Sequence, residues 1–327
     1  MEQNFVYKNE KGPIFASIDV TGACNYNCLH CYNNSGQSLI DEMSDEELLR
    51  VADQIAELQP ISICLCGGEP LMRKNIEDVV RIISNKNCAV NMVSNGSLLT
   101  KNKAYKLKKA GLHTLQISLD GVNSNQHDTF RGFPGAFDLA TEAIKIGKEM
   151  GLTMVTSFIP NKLNVNSIND YLDYCCALGV TSARFMPLIP MGRGSNIDFL
   201  LLSSDEYYKL QVTLEKVKPY YIKKNMLIEW GDPIDHFSRM TINAKSDVKT
   251  VSLEVKANGN LTISTYIPIV VGNIRKHSIK EYWDAGYKDI WAKDKVVDFV
   301  SKIQNIYDIN SLTPKPYSGE YYYLNIL

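Results

Sequence analysis

Short apolar runs alternate with longer amphipathic stretches over the first two thirds of this chain. The first run, Ile14 to Val20, alternates in and out with the period of a half-buried strand. The stretch after it reads as a helix. Ser44 and Glu47 form a capping box, the apolar period runs to Leu58, and Pro60 breaks it. The same unit then repeats. Ile61 to Cys66 predicts a second strand, followed by a helix near Ile76 to Ser84. Cys88 to Ser94 predicts a third, ending in the Asn95-Gly96 turn, with a helix capped by Thr100 and stopped by Gly111. Leu112 to Leu119 predicts a fourth; a loop through Asp120-Gly121 leads at Gly135 into a helix ending at Gly151. Leu152 to Ile159 predicts a fifth, with Asn164 or Asn166 capping a helix that ends at Gly179. Val180 to about Leu188 predicts a sixth.

Strands alternating with helices imply a parallel sheet with helices outside, and function gathers at the carboxyl edge of such a sheet. A long helix capped by Ser203 and Glu206 follows. After about Asn225 the rhythm breaks. Val251 to Lys256 and Leu261 to Tyr266 flank Ala257-Asn258-Gly259-Asn260 and predict a β-hairpin. Ser278 with Glu281 caps a helix through about Trp291, and a tyrosine-rich tail follows. The expected division is 1–224 and 225–327.

The length of 327 residues allows one large or two modest domains. A formal net charge of −1 gives no field for nucleic acid. Met1 to Gly12 is too polar for a signal peptide, and runs such as Ile267 to Val271 are too short to span a bilayer. The Lys-rich stretch from Lys101 to Lys109 reads as a solvated helix face. All 8 cysteines lie in the first 176 residues. That placement favours a metal site in a reducing cytoplasm over a disulfide framework.

Cys24, Cys28 and Cys31 follow the first strand on one short loop. A disulfide leaves one thiol over. A structural zinc wants a fourth ligand, for which His30 is the nearest candidate. A cubane iron–sulfur cluster held by three cysteines leaves one iron open for a substrate or cofactor. Gly67-Gly68-Glu69-Pro70 ends the second strand, and its glycines let backbone approach a ligand closely. Ser94-Asn95-Gly96 and Ser118-Leu119-Asp120-Gly121 end the third and fourth with short polar side chains. His127-Asp128-Thr129-Phe130-Arg131-Gly132 adds a guanidinium suited to a carboxylate.

The spacing C-x-x-x-C-x-x-C, with His30 before the last cysteine, resembles the signature of radical S-adenosylmethionine (SAM) enzymes. The resemblance covers roughly residues 14 to 200. It implies a partial (β/α)6 barrel holding one [4Fe–4S] cluster on Cys24, Cys28 and Cys31, with SAM on the open iron. An electron from the cluster then cleaves SAM to a 5′-deoxyadenosyl radical that abstracts hydrogen. The G-G-E-P stretch, Gly67, Gly68 and Glu69, matches the family's site for the SAM amino group. His30, Ser94, Asn95, Ser118 and Asp120 are the other expected contacts. Arg131, in a segment similar to H-D-x-x-R-G of peptide-modifying members, is expected on the SAM carboxylate. Leu188 is expected at the adenine.

Trp230-Gly231-Asp232-Pro233, Ala257 to Asn260, Val271 to Ile274 and Ser278 to Trp283 look like the small α+β C-terminal lobe called SPASM or twitch. That lobe normally carries cysteines for auxiliary clusters. Here the hairpin reads Ile263-Ser264-Thr265-Tyr266, and no cysteine follows Cys176. A single cluster is inferred, so the reaction must finish without auxiliary ones. Cys64 and Cys66 share one face of a strand, and Cys66 is a candidate hydrogen donor. Asp232, Asp235 and His236 are candidate acid–base groups, Asp232 the one singled out as catalytic.

The resemblance implies a ribosomally made peptide or protein as substrate, crosslinked, epimerised or similarly modified. No leader-binding domain fits before Ile14, so a separate leader-binding protein is a candidate partner, beside a flavodoxin- or ferredoxin-type electron donor. Neither nucleic acid nor membrane is an expected partner. The rival readings are a radical SAM enzyme acting on a nucleoside, sugar or cofactor precursor, and a non-catalytic iron–sulfur or zinc module.

Overall fold

The structure, a computed structural model, describes residues 11–231, 233–245, 249–312 and 321–327. Its strands are β1 (Phe15–Thr21), β2 (Ser62–Gly67), β3 (Ala89–Ser94), β4 (Leu112–Ser118), β5 (Thr153–Phe158), β6 (Ser182–Phe185), β7 (Leu227–Trp230), β8 (Ser252–Val255), β9 (Asn260–Ser264), β10 (Ile267–Asn273) and β11 (Tyr322–Tyr323). They form one sheet in the order β11-β10-β9-β8-β1-β2-β3-β4-β5-β6-β7. β1 to β7 pair in parallel with their neighbours. This run is a partial barrel, and hydrogen bonds do not close it.

Alternation along each strand separates two faces. Ile18, Ile63, Leu65, Val90, Met92, Leu115, Ile117 and Phe185 are buried in the core. The intervening positions, among them Cys64, Cys66, Gln116 and Ser157, line a cavity. Helices Asp45–Glu57, Ile76–Asn85, Lys101–Ala110, Ala136–Glu149, Ile168–Leu178 and Ser204–Ile222 connect the strands. The capping boxes at Ser44 and Ser203 form as expected. Thr100 caps its helix, and Gly111 ends it in the left-handed region.

Within the strand–helix run the structure differs from the sequence reading in four places. The fourth loop contains a helix, Ser124–Arg131, capped by Asn123. The fifth helix begins after Ser167. Asn164 does not cap it, because its side-chain oxygen accepts the Asn161 N–H (2.8 Å) while its amide donates to the carbonyls of Asp120 and Ile159. β6 is shorter than expected, ending at Phe185 ahead of Pro187 and Pro190, residues that cannot donate to a ladder. Finally, the rhythm does not stop at Asn225, because β7 adds a seventh parallel strand.

The expected hairpin is present as β8 and β9. β8 also pairs in parallel with β1, so residues on both sides of 224/225 share one sheet. Ser278 and Glu281 form their capping box over helix Ile279–Ala285, which Gly286 at φ +130° stops short of the expected Trp291; a 3-10 turn, Tyr287–Ala292, follows. Trp283, Tyr287 and Trp291 are buried in the core beneath it. Among the described residues no helix is long and apolar enough to cross a membrane.

Candidate active site

The segment after β1 folds back against the turn after β2. The N–H of Gly68 donates to Thr21 (2.7 Å) and that of Glu69 to Ala23 (2.8 Å). No side chain fits between them. Gly67 sits at φ +119°, where a Cβ would lie 2.5 Å from the Thr21 carbonyl. A Cβ on Gly68 would collide with the Ala23 carbonyl. The two glycines therefore dock the cysteine loop onto the sheet edge.

Glu69 is buried and holds this edge together. Its carboxylate accepts from the Leu71 N–H (3.0 Å), the Ser94 hydroxyl (2.8 Å) and the Asn95 N–H (2.8 Å). Burial pushes its pKa up against those three donors. Asn95 in turn donates to Asn25 (3.0 Å), and Asn25 to Ser97 (2.8 Å), tying the end of β3 to the cysteine loop.

Behind the loop, helix Ser124–Arg131 presents Arg131 to Asp120. The guanidinium donates to one carboxylate oxygen through Nε (2.6 Å) and Nη2 (2.5 Å). Its Nη1 lies 4.0 Å from the Cys28 sulfur. Asp120 is fully buried and also accepts the Ile159 N–H (2.7 Å). His127 accepts the Asp120 N–H on Nδ1 (2.9 Å), and burial beside Arg131 lowers its pKa to about 3. His30 stacks on Phe130 with centroids 3.9 Å apart, and Tyr26 stacks on Phe133.

Eight of the ten expected SAM contacts come together. His30, Gly67, Gly68, Glu69, Ser94, Asn95, Ser118 and Arg131 line one cavity of about 280 Å³ with Cys24, Cys28 and Cys31. Two do not reach it. The Asp120 carboxylate is spent on Arg131 and Ile159. The Leu188 side chain packs among Phe130, Ile197, Leu200 and Leu201, and its N–H donates to the Tyr207 hydroxyl. Pro187 and Ile189 beside it face the cavity instead.

Cys66 lines the same cavity, 3.4 Å from Asp19. Asp232 lies outside the described residues. Asp235 is exposed and pairs with Arg239, while the His236 ring meets the buried Trp291; neither lines the cavity.

Sequence reasoning missed several contributors. Arg193 donates to the carbonyls of Cys28 (2.8 Å) and Ser35 (2.8 Å) and clamps the cysteine loop, with no motif to announce it. Gln116, Ser157 and Tyr266 also line the cavity. Buried Asp19 and Lys256, 3.3 Å apart, form a charged cluster behind Cys66 with the partly buried Glu254. Their signal was charge on strands that otherwise carry small or apolar residues.

The loop fits an iron–sulfur cluster. All three cysteines are free and line one cavity. Burial pushes Cys24 up to about 11 and raises Cys28, so thiolates there need a cation to offset desolvation. The Ser35 N–H lies 3.4 Å from the Cys31 sulfur, the kind of donor that tunes such clusters. The Ser35 hydroxyl is buried at the cavity without a partner among the described residues. Among those residues no group of three or more His, Cys, Asp or Glu is placed to hold a metal ion. A cubane differs from a lone ion in taking each thiolate on a separate iron.

Residues 18–175 match the model of the Radical SAM superfamily. This chain carries a radical SAM superfamily domain. Its cofactors are a [4Fe–4S] cluster and SAM. It is 28% identical over 289 residues to the AdoMet-dependent heme synthase of Methanosarcina barkeri, covering 83% of this chain and 82% of that one. It is also 28% identical over 218 residues to the sporulation killing factor maturation protein SkfB of Bacillus subtilis, covering 67% and 53%. In fold it resembles Streptococcus suis SuiB bound to precursor peptide SuiA, with a TM-score of 0.69 at 14% identity over 88% of this chain and 66% of SuiB.

Proposed function

We propose that this enzyme modifies a peptide or protein, with the segment after β7 forming a lobe that closes the cavity mouth. The observation that carries the reading is a polar strip on β4, β6 and β7 beside the cavity. Arg184 donates to Gln116 (3.1 Å) and to Glu229 (2.7 Å), and Ser182 donates to Glu229 (2.6 Å). Arg184 and Glu229 are half exposed, while Ala183, Phe185 and Ile228 on the opposite face are buried. Donors and acceptors of both kinds suit a main chain, which offers N–H and C=O in turn. The fold shared with SuiB and the similarity to SkfB support the same reading.

When bound, the reduced cluster and SAM supply a 5′-deoxyadenosyl radical that takes hydrogen from the substrate. The protein's share is placement. Gly67 to Glu69 with Ser94 and Asn95 shape the wall for the amino end of SAM. Arg131 supplies a cation fixed by Asp120, and Ser118 offers a hydroxyl. A flavodoxin- or ferredoxin-type protein delivers the electron. Leader recognition falls to the C-terminal lobe, its edge strand or a separate binding protein.

A tetrapyrrole substrate is the second reading. It is favoured by similarity to heme synthase over 83% of the chain. The test is anaerobic reconstitution, then SAM and reductant, with either a peptide panel or iron porphyrins carrying propionates, read by mass spectrometry. A mass change in a peptide is expected; turnover of porphyrin alone would overturn the peptide reading.

A further inference from the structure

We propose that Cys66 is a hydrogen-atom donor to a carbon radical in the cavity, with Asp19, Lys256 and Glu254 returning a proton to its sulfur. The proposal rests on radical SAM chemistry and not on which substrate class is correct.

Cys66 lines the cavity one residue before the Gly67–Glu69 turn. Its sulfur lies 3.4 Å from Asp19 Oδ1, and Asp19 Oδ2 lies 3.3 Å from Lys256 Nζ. Lys256 is 3.8 Å from Glu254, and Thr265 bridges the two, 3.3 Å from the ammonium and 2.7 Å from the carboxylate. Asp19 is 4% exposed and Lys256 8%. Two carboxylates and an ammonium are costly to bury, and a network of that kind beside a cavity points to use in the reaction. Cys66 lines the cavity, as do Cys64 two positions before it and Tyr266 beside Thr265. The hydrogen bond with Cys64, then burial, then the Asp19 charge raise the Cys66 thiol well above its ordinary value, which keeps the protonated form that carries a hydrogen atom.

An S–H bond is weaker than an alkyl C–H bond, so transfer from thiol to carbon radical runs downhill. The C–H bond forms, the S–H bond breaks, and a thiyl radical remains on Cys66. One electron from the donor that also reduces the cluster, plus one proton from Lys256 by way of Asp19, restores the thiol. Lys256 regains its proton through Glu254. No electron has to leave the substrate, which agrees with a chain that has lost auxiliary-cluster cysteines. The hairpin segment that lacks them supplies Thr265 and Tyr266.

The test needs no substrate. With the cavity otherwise empty, the adenosyl carbon is itself the radical that Cys66 meets. Reconstituted enzyme is given SAM and dithionite in D2O, where thiols exchange to S–D, and the 5′-deoxyadenosine is analysed by mass spectrometry. Wild type is expected to yield mainly singly deuterated product, and C66A and C66S to lose the label while still forming 5′-deoxyadenosine. Equal label in all three would overturn the donor role. No 5′-deoxyadenosine from any of them would overturn the radical chemistry and the donor role with it. A second readout is iodoacetamide alkylation of Cys66, mapped by peptide mass spectrometry across pH. Its profile is expected to move to lower pH in D19N and to higher pH in K256M; unmoved profiles would overturn the proton path.

Discussion

Replacing Arg131 by methionine strands a fully buried carboxylate at Asp120. An uncompensated buried charge costs about 3–5 kcal/mol, so R131M is expected to lose that much in urea unfolding. The double variant D120L/R131M is expected to lose less, because the stranded charge is gone. His127 adds a pH dependence. Its folded pKa of about 3 lies below the ordinary value of about 6.5, so the unfolded chain binds more protons between them. Stability from this group is complete above about pH 6.5 and falls by roughly 1.4 kcal/mol per unit as pH drops towards 3. H127N keeps an acceptor for the Asp120 N–H but does not titrate. Its unfolding free energy is expected to change less between pH 7.5 and 5 than that of wild type. At this scale the cysteines, Gly67 to Glu69 and Arg131 were legible, because each chemistry demands a residue type at a spacing. Arg193 was not, because a side chain that reaches carbonyls more than 150 positions away leaves no local pattern.

The docking of the cysteine loop on the β2 turn belongs to the scale of elements. G68A drives a Cβ into the Ala23 carbonyl, whereas a Cβ at Gly36 meets nothing within 4 Å. G68A is expected to lower the melting temperature and abolish SAM binding by calorimetry, with G36A near wild type. S203A removes a capping box and is expected to cost about 1 kcal/mol in urea unfolding. Most strands and caps could be read directly, since burial imposes period two and caps impose their own chemistry. Helix Ser124–Arg131 escaped because two of its three buried residues, His127 and Arg131, are polar, so the apolar stripe that marks a helix is missing. β7 escaped because it has four residues and exposes Leu227.

Across the whole molecule, Arg275 fastens the C-terminal segment to the first helix. It donates to both carboxylate oxygens of Glu47 (2.7 and 2.9 Å) and to the carbonyls of Asn258, Asp41 and Glu42. R275M is expected to cost about 1–3 kcal/mol and to speed amide exchange in β8 and β9 ahead of β3 and β4. The barrel was legible as a repeat. The parallel pairing of β8 with β1 was not, since it joins segments some two hundred residues apart and a hairpin signal says nothing of a third partner. That pairing sets Glu254 opposite Ser17, and Lys256 follows at the strand end to meet Asp19, so the active-site wall draws on both halves of the chain. The account stands most directly on the open iron of a three-cysteine cluster. Electron paramagnetic resonance of the reduced, reconstituted enzyme with and without SAM measures it. The expected result is a cluster signal that shifts when SAM is added and disappears in C24A, C28A and C31A. A signal unchanged by SAM, or one that survives loss of any of the three thiols, would contradict it.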